Sequence, residues 1–291
     1  MRPTRESRIA IAFIGGVLLS TLFFPGSGFA YEEIAVSNGG TLIGKVTLRG
    51  TPPPARVFHL IFSPNIDFCG KISDGKGNRL LKEFRSSQDG AFQDVVVAVV
   101  GVERGRKFDY SPELSLENCR IGPFVMPIRN QSPIRIVNKD PIAHDIQAYT
   151  LKDEYTFEMF NKPMVPQESA LRQVRLRKDH YLFRTQCGVH DFMQSWGFAV
   201  GNPYFAVTGP DGTFSIPDLP PGEYSVIAWH PYMKVQVRTL KVAPDQRVAL
   251  DFQFNSSEVS IPLYGLQTGY RFDTAFIDHP LAPPGVELQL P

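Results

Sequence analysis

An all-β protein of about two domains is what this chain predicts, and three observations carry that reading. Its 291 residues are too many for one small barrel. Short apolar runs of strand length recur along it, with almost no amphipathic helix pattern beyond the first thirty residues. Proline (25) and glycine (24) are both plentiful, which suits many short elements joined by turns. With 43% hydrophobic and 20% charged residues, the chain resembles neither a disordered segment nor a coiled coil.

The N-terminus reads as a signal peptide. Arg2, Arg5 and Arg8 form a basic start, Ile9 to Phe24 is an apolar run, and Gly28-Phe29-Ala30 offers small residues for cleavage after Ala30. An uncleaved anchor is the alternative, but the run is short for a span of about 20 residues and Pro25-Gly26 follows at once. Export to the periplasm or beyond is therefore expected, with no membrane span once the peptide is removed. Losing residues 1–30 takes away three arginines and one glutamate and moves the formal charge from +1 to −1. Near-neutral charge gives no support for nucleic-acid binding or for attraction to an anionic membrane.

The strands follow in order. Thr41 to Leu48 alternates and runs into Pro52-Pro53-Pro54; Val57 to Phe62 is a second short strand. Residues 63–91 are polar and glycine-rich and read as a long connection held by Cys69. Asp94 to Val102 (DVVVAVVGV) is a continuous β-branched run, as expected of a strand covered on both faces. Phe124–Ile128 and Ile134–Asn138 flank a polar turn, and Asp145–Tyr149 continues past His144. Residues 151–168, with Pro163 and Pro166, read as a loop with at most one helical turn. Val174–Arg177 alternates, with Arg175 and Arg177 on a solvated face. Tyr181, Phe183, Thr185 and Cys187 share one face of a further strand.

Composition changes at Gly201-Asn202-Pro203. Asp211-Gly212 marks a hairpin, since glycine accepts positive φ without steric cost, and Pro221-Gly222 opens the next strand. Val235–Val242 and Val248–Phe254 complete about four strands. Residues 256–291 are proline-rich and irregular. The division is a signal peptide (1–30), an N-terminal β segment (31–91), a first β-sandwich domain (92–200), a small β module (203–255) and a tail (256–291).

Three cysteines are an odd number for an exported protein, which suggests a metal-bound or reactive thiol beside a disulfide. Cys69 and Cys119 are the natural pair, contributing on the order of 3–4 kcal/mol if unstrained, and Cys187 is left free. Three unpaired buried thiols are the alternative. The motif around Cys187 is Cys187-Gly-Val-His190-Asp-Phe-Met193, and His144 closes Ile136-Val-Asn-Lys-Asp-Pro-Ile-Ala-His144. One thiolate, two imidazoles and one thioether suit both Cu(I) and Cu(II). Alone, each of these residues reads as core filling; together, in this order, they read as ligands.

Ile136-Val-Asn-Lys-Asp140, His144 and Cys187-x2-His190-x2-Met193 resemble a cupredoxin over roughly residues 92–200, with a short ligand loop similar to that of amicyanin. Thr208-x2-Asp211-Gly212-Thr-Phe214 and Leu219-Pro-Pro-Gly222-Glu-Tyr224 resemble a carboxypeptidase-regulatory-like (prealbumin-like) β-sandwich module. The pairing resembles exported bacterial proteins described as methylamine-utilisation-like. The resemblance implies a Greek-key cupredoxin sandwich joined to a second small sandwich. It also implies one type 1 copper ion held by Cys187, His144 and His190, with Met193 as a long axial contact. His190 is expected at an exposed edge where a redox protein partner docks, with Phe192 and Trp196 as its apolar rim. Either the module is discontinuous, residues 36–62 plus 203–255 with the cupredoxin inserted, or it follows a cupredoxin with an N-terminal extension; insertion is preferred. Where blue-copper proteins often have asparagine after the first histidine, this chain has Asp145, whose charge would favour Cu(II) and lower the potential.

The expected function is one-electron transfer between periplasmic partners, not enzymatic catalysis. The chain has no His-x-His pairs for a trinuclear copper cluster, no Cys-x2-Cys-His for haem, and neither Gly-x-Ser-x-Gly nor His-Glu-x2-His. Two alternatives are a non-redox envelope binding protein with structural copper and a protein that exchanges copper with a partner. His230 reads as structural; His59, His180 and His279 read as surface residues.

Overall fold

The structure, a computed structural model, describes residues 31–152 and 155–259. The expected signal peptide, His279 and nearly all of the tail lie outside them. Apart from one four-residue helix, Ile66–Cys69, and three 3-10 turns, the regular structure of the described residues is strand. The described residues are all-β, built as two sandwiches of two sheets each. Two small two-stranded pairs, Glu32–Glu33 with Arg104–Gly105 and Arg56–His59 with Asn78–Leu81, lie beside them.

In the first sandwich the outer sheet runs Thr213–Leu219, Gly40–Arg49, Arg247–Ala249, and Phe252–Asn255 also pairs with Gly40–Arg49. Its inner sheet runs Phe205–Val207, Val96–Val100, Gly222–Trp229, Gln236–Val242. The second sandwich has an inner sheet of Tyr155–Met164, His144–Lys152, Leu182–Cys187, Gln194–Ala199 and Val125–Ile128. Its outer sheet is Ser169–Gln173, Pro133–Asn138, Glu113–Leu116 and Ile121–Gly122.

Three apolar layers separate these four sheets. Leu42, Val46, Val97, Val99, Val226 and Phe252 fill the first sandwich. Ile134, Ile136, Ile146, Phe183 and Cys187 fill the second. Between the sandwiches, Val96, Ala98, Ile227 and Trp229 meet Val125, Leu182, Trp196 and Phe198. Alternate residues of Val96–Val100 therefore point into different layers, and every one of them is buried. Each fully buried valine contributes about 1.5–3 kcal/mol, which is why this run has no polar position.

The run corrects the boundary at residue 92. The sequence assigns it to the 92–200 domain, whereas its partners are Phe205–Val207 and Gly222–Trp229 of the first sandwich. An all-apolar pattern says that both faces are covered, not by which sheet. The first sandwich is thus discontinuous, taking strands from residues 40–49 and 96–100 and from 205–255.

Two further expectations change. Residues 151–168 contain no helix among those described. Tyr155–Met164 is a strand paired with His144–Lys152, and Pro163 is tolerated because this strand is the sheet's edge. The strand expected at 174–177 lies instead at Ser169–Gln173, where it pairs with Pro133–Val137. The turn at Asp211-Gly212 is present, with Gly212 at φ +71° and a Cβ there within 2.5 Å of the Val46 carbonyl, but it is not a hairpin. Phe205–Val207 pairs with Val96–Val100 and Thr213–Leu219 with Gly40–Arg49, so the turn carries the chain from one sheet to the other.

Cys69 and Cys119, 50 residues apart, form a disulfide. It fastens the 56–81 segment to the second sandwich, where Leu60 and Cys69 join the core that contains Cys187.

Candidate metal centre

His144 opens one strand and Cys187 closes its antiparallel neighbour, the register pairing Ile146 with Cys187. Both side chains therefore arrive at the same end of the inner sheet. The loop after Cys187 turns back on itself: the Met193 amide donates to the His190 carbonyl at 3.0 Å, and the Cys187 amide to the Met193 carbonyl at 3.2 Å. The Gly188 amide donates to the Asp145 carbonyl at 2.6 Å, tying this loop to the strand that carries His144. A Cβ at Gly188 would meet the Asp145 Oδ2 at 2.3 Å and the Gln147 Nε2 at 2.6 Å, so a side chain there would have to push these two polar side chains aside.

The result is a triangle of donor atoms. Cys187 Sγ lies 3.5 Å from His190 Nδ1 and 3.8 Å from His144 Nδ1, and the two Nδ1 atoms are 3.2 Å apart. The centre of such a triangle is ~2.0 Å from each corner, within the ~2.0–2.3 Å reach of metal–imidazole and metal–thiolate bonds. His144, Cys187, His190 and Met193 are all buried. Met193 lies in the same core, and so does Met164, the register partner of His144.

Burial sets the electrostatics. It pushes the His144 pKa down against the opposing pull of Asp140, and pushes His190 down to about 4 with help from His144. Both rings are thus neutral near pH 7 and carry free lone pairs. Burial raises the Cys187 thiol, while the main chains of Asp145, Val189 and His190 lower it. Metal binding must therefore displace a proton from sulfur.

Asp140 and Asn138 brace the candidate site, a position that sequence reasoning did not give them. The buried Asp140 carboxylate accepts from the Asn118 amide at 2.6 Å, the Cys119 amide at 2.8 Å and His144 Nε2 at 2.9 Å. A carboxylate at Nε2 puts the ring proton there and leaves Nδ1 to face the triangle. The Asn138 side-chain amide donates to the carbonyls of Ile142, Met164 and Val165 at 2.9–3.1 Å, and its Oδ1 accepts from the Asp140 amide at 3.0 Å. The signal was an acid four residues before the histidine, inside a segment already singled out.

Three expectations about the surroundings are corrected. His190 is 0% exposed, not an open edge. The Pro64 backbone lies against its ring, and Phe58 packs on Phe192 at 5.1 Å, so residues 58–64 form a cap over the loop. Trp196 faces the layer between the sandwiches and is no part of the site's rim. His180 is buried, its Nδ1 2.9 Å from the Thr150 hydroxyl. His59 is exposed as expected, and His230 is buried among Phe84, Phe92 and Tyr232 in a structural position.

No family model and no curated protein matches this chain. Its neighbours among solved structures are copper proteins. A purple cupredoxin from Nitrosopumilus maritimus is 12% identical over 31% of this chain and 100% of its own, with a TM-score of 0.26. A Cu-containing nitrite reductase from Thermus scotoductus is 14% identical over 35% of this chain and 25% of its own, TM-score 0.26. A Cu(I) amicyanin variant is 7% identical over 32% of this chain and 86% of its own, TM-score 0.25. Each match takes in about a third of the chain and is too loose to set its family.

The donor set is what selects a metal. A single soft thiolate with two imidazoles, closed off from water, fits copper. A structural zinc site would need a fourth strong ligand, whereas the histidine, cysteine and carboxylate cluster among the described residues has three members, His144, Cys187 and His190. In the described residues no helix is long and apolar enough to cross a membrane.

Proposed function

We propose that this chain is an exported protein that binds one type 1 copper ion and carries single electrons between redox partners. The observation that supports this best is the buried triangle of Cys187 Sγ, His144 Nδ1 and His190 Nδ1. Cys187 would supply the thiolate, His144 and His190 the imidazoles, and Met193 the long axial contact. Copper, when bound, would change between Cu(I) and Cu(II). The protein's part is to hold the donors on paired strands and to keep water out, so that neither state demands a rebuilt site.

Copper-loaded protein is expected to show an intense visible thiolate-to-copper band and a matching paramagnetic resonance signal. Cys187→Ser is expected to abolish the band. A band that survives in that variant would overturn the assignment. Export is tested by sequencing the N-terminus of the mature protein, expected to begin at Tyr31.

A second reading, a structural copper ion, is favoured by one observation: the cap leaves no exposed edge on His190. Voltammetry separates the two. A reversible one-electron couple supports electron transfer, whereas tightly held copper without one supports the structural role.

A further inference from the structure

Beside the metal centre lies a cleft of about 560 Å³, bounded by the 72–85 segment, by Arg120 to Phe124 and by Phe192. Its charges are unbalanced. Glu83 is engaged by Arg56 and by the Tyr232 hydroxyl at 2.9 Å, and Arg85 is engaged by Asp94. Asp74 accepts from the amides of Lys76 and Asn78 in its own loop. Those amide bonds leave the Asp74 charge in place, so one carboxylate stands against Arg79, Lys82 and Arg120, and among the described residues none of these three cations forms an ion pair.

Arg79 is the best positioned of the three. Its guanidinium lies 4.9 Å from the centre of the Phe192 ring and donates one bond, 2.7 Å, to the Cys119 carbonyl. A single bond leaves most of its five donors unused. Burial, and the like charge of Arg120, push the Arg79 pKa down to about 10. Two cations that repel each other in a half-buried cleft lower their energy when an anion enters between them. Guanidinium groups match the planar, two-oxygen face of a carboxylate or phosphate, and the ammonium of Lys82 adds a point charge.

We propose that this cleft is a binding site for a small dianionic oxyanion of the carboxylate or phosphate class, held by Arg79, Arg120 and Lys82. The volume is that of a small-molecule pocket, since such sites span about 300–1,000 Å³. The site needs no metal, so it stands or falls independently of the copper reading.

The test is isothermal titration of the full chain with succinate and, separately, with inorganic phosphate at low ionic strength. Saturable one-to-one binding of either probe is expected, weakening at least tenfold in Arg120→Gln and in Lys82→Gln. Both of these side chains are exposed, so neither change should disturb folding. Arg79→Lys keeps the charge but loses the fork, and is expected to weaken binding as well. Lys107→Gln, a distant exposed control, is expected to bind as the parent does. Preference for succinate would assign a carboxylate, and preference for phosphate a phosphate ester. No saturable binding of either probe up to about ten millimolar, or equal binding by all the cleft variants, would overturn the proposal.

Discussion

Asp140 Oδ2 sits 2.9 Å from His144 Nε2, both residues buried, and the same carboxylate holds the amides of Asn118 and Cys119. One side chain thus orients the imidazole of the candidate metal centre and anchors the turn that carries half of the disulfide. Replacing it tests whether the ring's orientation matters. Asp140→Asn is expected to lower copper affinity by about 10–100-fold, as loss of a hydrogen-bonded partner behind a ligand does. Competition against a chelator of known affinity measures this. Unchanged affinity would mean that His144 is held by packing alone.

The two depressed histidines make the metal-free protein acid-sensitive. Their folded pKa values lie below the unfolded value of about 6.5, with His190 at about 4. Between those values the unfolded chain binds more protons than the folded one, so stability falls as pH drops from about 6.5 towards 4. Thermal unfolding of metal-free protein across that range is expected to show a falling midpoint. Copper should be released over the same range, because each imidazole must be neutral to bind.

Two buried methionines stand near the donor triangle, and they should behave differently. Met193→Leu is expected to retain copper and raise the potential, since a weak donor is removed. Met164→Leu, on the strand paired with His144, should leave the potential unchanged. Voltammetry of both variants decides; a shift confined to Met164→Leu would exchange their roles.

The disulfide is expected to matter for stability more than for ligation. Cys69→Ala with Cys119→Ala opens a loop of 50 residues, a change that costs about 4 kcal/mol in the chain-entropy account. Urea unfolding measures that loss. Faster exchange of the His190 ring with solvent, read by NMR, is expected alongside it, because the cap over His190 would then be untethered.

Much of the site was legible because ligand chemistry is local. Cys187, His190 and Met193 lie in seven residues, and no other element has to be placed for that spacing to be read. Asp140 was less legible: an acid near a histidine has many ordinary explanations, and only packing shows that the two side chains meet. The cap was not legible at all. Residues 58–64 carry no motif, and Val57, Ile61 and Leu80 are exposed apolar residues that a pattern search would place inside.

By itself, the order of residues determined the strand-rich class, the glycine turn at 212, the pairing partner left for Cys69, and the candidate donors His144, Cys187 and His190 that the fold brings together. These depend on alternation, backbone freedom and donor chemistry, all properties of short segments. Only the tertiary structure decided that Val96–Val100 belongs with strands more than a hundred residues later, that His190 is sealed, and that Arg79 and Arg120 share one cleft. Sheet pairing and burial are set by which distant surfaces exclude water together. An apolar run records that it will be covered, and its partner is chosen by the shape of everything else.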